Sequence, residues 1–197
     1  MKKIAAVRLL VAFLFALSSG VFAQTAEIRR IDAYVRSTDA AKTKRPELVF
    51  ADVSDSTTNE KAKWRKFASE KALDKHRNRT EVYTIAYAWR KAGKLVASTF
   101  TLSSPSGDWV KYVYHHFRRD GTLARVESDY RTFNGDFMVV RQRYFDRAGK
   151  QIKNSVKFLD LKTRKPKGAS SGVMGDDSDD VDYYKTTSKL PFASLVK

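Results

Sequence analysis

Apolar and polar residues alternate in six runs through the middle of the chain, from Val82 to Leu159. A period of two places one set of side chains on each face of an extended segment, so each run predicts a β-strand. The first runs from Val82 to Trp89 and the second from Leu95 to Leu102, with Arg90-Lys91-Ala92-Gly93-Lys94 between them. Val110–Phe117 and Leu123–Phe133 flank Arg118-Arg119-Asp120-Gly121, and Met138–Phe145 and Gln151–Leu159 flank Arg147-Ala148-Gly149. Gly after Asp, Asn or Ala between β-rich runs supplies the positive φ that a tight hairpin needs. The pattern predicts a six-stranded antiparallel meander.

The hairpins recur at a fixed interval. Gly93, Gly121 and Gly149 are 28 residues apart, as are Trp89, Phe117 and Phe145. The turns at the other end agree, because Ser106-Gly107-Asp108-Trp109 is matched 28 residues later by Asn134-Gly135-Asp136-Phe137. Three units follow, at 82–109, 110–137 and 138–165, each one supersecondary element. The segment Phe117-Arg118-Arg119-Asp120-Gly121-Thr122-Leu123, with an aromatic residue a few positions before a turn glycine, resembles the YD-type and MORN-like β-hairpin repeats. That resemblance covers residues 82–165 and implies a hairpin architecture without implying an activity.

Helical periodicity precedes the sheet. Ile28, Ile31, Tyr34 and Val35 share one helical face between Ala26 and about Ala41. Thr57-x-x-Glu60 has the form of a capping box and predicts a second helix ending near Arg77-Asn78, with Trp64, Phe67, Ala68 and Leu73 on one side. Pro46 separates the two, and Glu47–Val53 reads as a short strand. The expected fold class is α+β: an antiparallel meander of six or more strands, packed by one or two N-terminal helices.

The first 23 residues change the picture of where the protein works. Met1-Lys2-Lys3 and Arg8 precede an apolar run from Leu9 to Leu17, then Ser18-Ser19-Gly20-Val21-Phe22-Ala23. This is the pattern of a secretory signal peptide cleaved near Ala23, and the run is too short for a bilayer span of about 20 residues. The expected location is periplasmic or extracellular. The expected domains are the signal at 1–23, a single α+β domain at 24–165 and a Gly/Ser/Asp-rich tail with an apolar end at 166–197. There is no Cys in the chain. Disulfides, thiol chemistry, Cys-based zinc sites and a lipidated Cys anchor are therefore excluded.

The formal net charge is +16, and it stands at +13 once Lys2, Lys3 and Arg8 are removed. Beyond Lys165 the charge is −1, from four Lys against Asp176, Asp177, Asp179, Asp180 and Asp182, so residues 24–165 carry +14. A basic body suits a polyanionic surface. An apolar end at Leu190, Phe192, Leu195 and Val196 would hold the Asp cluster over that body, where it would act as an internal mimic of an external polyanion.

Candidate chemistry is sparse. His115 shares a strand side with Lys111, Val113 and Phe117, and Arg141 and Arg143 continue that side, while Arg125, Glu127 and Asp129 share a side of their own strand. If register unites them, His115, Arg141, Arg143, Arg125 and Glu127 form a candidate binding site for an anionic group, with Arg making paired bonds. The alternative is a solvated sheet face laced with ion pairs. His115 and His116 point to opposite faces and do not chelate one metal. Neither a Gly-x-Ser-x-Gly elbow nor a phosphate or dinucleotide loop occurs, and no cofactor is expected. The leading expectation is a non-enzymatic envelope-associated binding module whose partner is an anionic envelope polymer, a lipid or an envelope protein. No specific nucleic-acid role and no membrane span in the mature chain are expected. The alternatives are a periplasmic carrier of a lipid or other apolar ligand, and a small hydrolase of an envelope polymer using Glu127 or Asp129 with His115.

Overall fold

A computed structural model describes residues 24–39, 45–55, 60–168 and 183–196. The leader at 1–23, Thr57 of the capping-box pattern and the Asp cluster at 176–182 lie outside the described residues. Helix α1 covers residues 24–39. It is followed by β1 (Leu48–Asp52), β2 (Trp64–Phe67), α2 (Glu70–Arg77), β3 (Thr84–Lys91), β4 (Lys94–Ser103) and β5 (Trp109–Phe117). Strands β6 (Leu123–Thr132), β7 (Phe137–Phe145) and β8 (Gln151–Asp160) complete one antiparallel sheet, in the order β2-β1-β3-β4-β5-β6-β7-β8. The fold is α+β, as the hydrophobic pattern predicts; the short strand read at Glu47–Val53 is β1, and β2 is added beyond it. No helix among the described residues is long and apolar enough to cross a membrane.

The 28-residue repeat is a structural repeat. Moved by 28 positions, β5 and β6 have the bounds of β7 and β8. The five-residue loops after β5 and β7 make the same backbone bonds: Arg118 N–H to Thr122 O at 2.8 Å and Gly121 N–H to Arg118 O at 2.9 Å, then Asp146 N–H to Lys150 O at 2.9 Å and Gly149 N–H to Asp146 O at 3.1 Å. Between β3 and β4 the loop is shorter, and Ala92 and Gly93 both take positive φ, at 50° and 72°. That is the turn form whose twist matches the flanking strands. Register shifts occur beside all three turns, at Trp89/Arg90, His116/Phe117 and Tyr144/Phe145. Each shift leaves one extra residue on the returning strand, namely Val96, Ala124 and Ile152, again 28 apart.

The segment 64–67 departs from the helix that its spacing suggests. Trp64 and Phe67 lie on β2, which pairs with β1. Three residues apart in a helix they would share a side; in a strand they fall on opposite faces. Trp64 accordingly joins the cluster around Phe50, and Phe67 the cluster around Val49 and Leu73. The helix begins later, where the Ser69 hydroxyl accepts the Ala72 N–H at 3.2 Å and so caps α2.

Both helices lie on one face of the sheet. Leu73 of α2 packs on Val49, Ala51 and Phe67, while Ile31 and Val35 of α1 pack on Ala124 and Tyr144. The opposite face is covered by residues 183–196, which return from the end of the chain. Phe192 is 0 % exposed and stacks on Phe50 with ring centroids 4.2 Å apart, beside Trp64 and Phe100. The backbone anchors this strap at the β5–β6 turn, through Leu123 N–H to Lys185 O and Thr187 N–H to Gly121 O, each at 2.9 Å. Gly121 is favoured here by a φ of +85°, and a Cβ, which would lie 2.8 Å from Thr187 Oγ1, would also displace that hydroxyl.

Burying a Phe side chain fully contributes about 1.5–3 kcal/mol, and truncating one in a core costs about 3–5 kcal/mol with the cavity included. Phe192→Ala is therefore expected to destabilise the protein by about 3–5 kcal/mol, read from the midpoint of urea unfolding. A loss below about 1 kcal/mol would mean that the strap is not part of the core.

Candidate functional site

The sheet register divides the sequence-predicted binding residues between two faces. Val126 sits opposite both His115 and Arg143, and Arg141 sits opposite Ser128, so His115, Arg141 and Arg143 lie on the strap side. Arg125, Glu127 and Asp129 point the other way, toward the helices. His115 is 0 % exposed and enclosed by the rings of Phe100, Phe117 and Tyr184. Its Nε2 accepts the Tyr184 N–H at 3.4 Å, and its Nδ1 has no hydrogen-bond partner among the described residues. Burial pushes its pKa down to about 3, so the ring is neutral at ordinary pH. Arg143 lies over the Tyr183 ring of the strap, 5.3 Å from its centroid.

On the helix side the charged groups are engaged with one another. Arg125 pairs with Asp32 of α1 and with Glu127, each at 3.4 Å. Tyr144 donates its hydroxyl to the same Asp32 carboxylate at 2.8 Å. Gln142 donates to Glu127 at 2.5 Å. Arg131 grips Asp129 through two bonds, at 3.0 and 2.6 Å. These contacts dock α1 and lace the sheet. Neither carboxylate can meet His115, because the sheet lies between them. Among the described residues no three His, Asp or Glu side chains are grouped to hold a metal.

A cleft of about 590 Å³ lies elsewhere, between α1 and the three hairpin turns. One wall is the helix, through Glu27, Arg30, Ile31, Tyr34 and Ser37, whose spacing of three and four residues selects one helical face. The other wall is the row of turns, which contributes Lys91, Arg118, Arg119, Asp120 and Arg147. Val96 and Ala124, the extra residues at two register shifts, form the floor.

The repeat thus supplies floor and wall together. Lys91, Arg119 and Arg147 each sit two residues before a turn glycine, 28 residues apart, and all three are exposed. None of the three has an ion-pair partner among the described residues. Arg118 plays a different part: it donates to the carbonyls of Leu123 at 2.7 Å and Phe145 at 2.6 Å, tying the second turn to the third. Its partial burial lowers its pKa, which Glu27 at 3.7 Å offsets. Tyr34 donates to Phe117 O at 2.5 Å, joining the helix to the end of β5. Burial raises the Tyr34 pKa and Arg119 and Arg118 pull it down, so both guanidinium groups act on the same space. The Asp120 carboxyl accepts from Thr122 Oγ1 at 2.6 Å and Thr122 N–H at 2.9 Å, and these bonds hold its pKa below the usual range. It stays ionised beside the cations. The wall and helix side chains carry five cations against two carboxylates, so the cleft is basic.

The signal for this site was present in the sequence as the cation two places before each repeated glycine. Attention to strand faces passes over it, because Arg119 and Arg147 are turn residues and Lys91 is the last residue of its strand. Comparison with protein-family models, with curated proteins and with solved structures finds no match to this chain.

A pH dependence follows from His115. Its folded pKa of about 3 lies below the unfolded value of 6.5. Above pH 6.5 both states leave the ring neutral and it costs nothing. As pH falls from 6.5 toward 3 the unfolded state takes up the proton first, and stability is lost at about 1.4 kcal/mol per pH unit. Between pH 7 and pH 5 the wild type should thus lose about 2 kcal/mol more than His115→Leu, measured by urea unfolding at both pH values. Equal losses in the two proteins would show that His115 is open to solvent in solution.

Proposed function

We propose that this protein is an exported, non-enzymatic, envelope-associated binding module that takes an anionic partner in the cleft between α1 and the hairpin turns. The observation that carries the reading is the row Lys91, Arg119 and Arg147, placed in one cleft by the repeat itself. Exposed cations over an apolar floor attract an anion electrostatically and leave room for its carbon skeleton. The leader pattern at 1–23 supports export. A hydrolase reading has less support, because Glu127 and Asp129 are tied to Gln142, Arg125 and Arg131 and lie across the sheet from His115. For an apolar carrier the spaces described on the strap face are small, about 130 Å³ by Trp64, Phe100 and Tyr184 and about 240 Å³ by Leu123, Phe145 and Thr186.

Heparin at low salt is the test ligand for this reading. An exposed ion pair contributes up to about 1 kcal/mol, so Lys91→Gln/Arg119→Gln/Arg147→Gln should weaken heparin binding about tenfold to hundredfold. The affinity of the wild type should fall as salt rises. Lys71→Gln/Lys75→Gln/Arg79→Gln removes the same charge at α2 and just after it, away from the cleft. If that control loses as much affinity as the cleft variant, net charge and not the cleft binds the polymer.

A further inference from the structure

The shape of the cleft narrows the class of ligand, on the premise that the cleft is the binding site. Helix α1 crosses the strands. Gln24 donates to Ile152 O on β8, Asp32 meets Arg125 and Tyr144 on β6 and β7, and Thr38 meets His116 on β5 at 2.9 Å. The helix therefore runs parallel to the row of turns, and the space between is a trough. Glu27 to Ser37 spans about 15 Å of helix at 1.5 Å per residue. Successive turns are two strands apart, which sets them about 10 Å from one another and about 20 Å from first to third. Three cations in such a row cannot converge on one compact anion. They fit an extended ligand whose acidic groups recur at about the interval of the turns.

Two carboxylates decide between extended ligands. Asp120 adjoins Arg119 in the second turn, and Glu27 stands on the opposite wall, 3.7 Å from Arg118. A polynucleotide, with a phosphate about every 3.4 Å along each strand, would press phosphates against both. Its bases would also find little to stack on, because among the described residues Tyr34 is the one aromatic side chain lining the trough. Neutral sugar units, in contrast, bring hydroxyl donors that carboxylates accept. We propose that the ligand is a linear acidic polysaccharide in which charged and neutral sugars alternate, lying along the trough with successive acidic groups on Arg147, Arg119 and Lys91. The neutral sugars between them face Glu27 and Asp120.

Size-defined hyaluronan oligosaccharides, in which glucuronate alternates with a neutral amino sugar, test this. Titrated into the purified protein at low salt, affinity should rise about threefold per added disaccharide up to the hexasaccharide and level off at the octasaccharide. Lys91→Gln removes an end cation and should move the plateau to the tetrasaccharide. Arg119→Gln removes the central one and should weaken the hexasaccharide without moving the plateau. A hexasaccharide no tighter than the disaccharide, a plateau that Lys91→Gln leaves in place, or tighter binding of oligothymidylate at the same salt would each overturn the polysaccharide. In those cases heparin binding that still depends on Lys91, Arg119 and Arg147 keeps the cleft as an anion site. Absence of heparin binding removes both readings.

Discussion

Side chains alternate along a strand, so a wide sheet has two faces and both must be covered if they are apolar. In this protein one face is covered from the N-terminal side, by α1 and α2, and the other by the returning strap at 183–196. Phe50 and Val49 are neighbours in sequence yet belong to different cores, the first under Phe192 and the second under Leu73. The same alternation separates His115 from Glu127. One becomes a neutral core side chain and the other part of the latch that seats α1.

The turns impose a second constraint. Each repeat unit must reverse direction tightly beside a register shift, and the shift leaves an extra residue aimed away from the strap. At Val96, Ala124 and Ile152 that residue is apolar; Ala124 and Ile152 pack with α1, and Val96 lies at the base of the cleft. That packing sets the helix across the strands. The trough is the gap left between the helix and the turn tips, and its basic wall follows from the cation that precedes each turn glycine.

Electrostatics in the trough is arranged by burial. Arg118, partly buried, bonds carbonyls of two strands and holds the turns at a fixed spacing. Arg119, one residue on, is exposed and faces solvent. Asp120 is bound by Thr122 and remains charged without neutralising the row. A guanidinium tied to backbone acts as structure, whereas its exposed neighbour is available to a partner.

Alternation of period two, the 28-residue interval and the turn glycines determined the six-stranded meander from the sequence alone, because each depends on residues close along the chain. The helix at 24–39 was legible for the same reason, in the spacing of Ile28, Ile31, Tyr34 and Val35. Tertiary structure decided the rest. Trp64 and Phe67 have a helical spacing, yet pairing with β1 made their segment a strand, since edge pairing of β1 outweighs local periodicity. The candidate set of His115, Arg141, Arg143, Arg125 and Glu127 depended on the register between strands, which no local pattern encodes, and the register put them on two faces. The basic trough required both kinds of information: the repeat wrote its cations into the turns, and only the docking of α1 on the register-shift residues turned that row into a cleft.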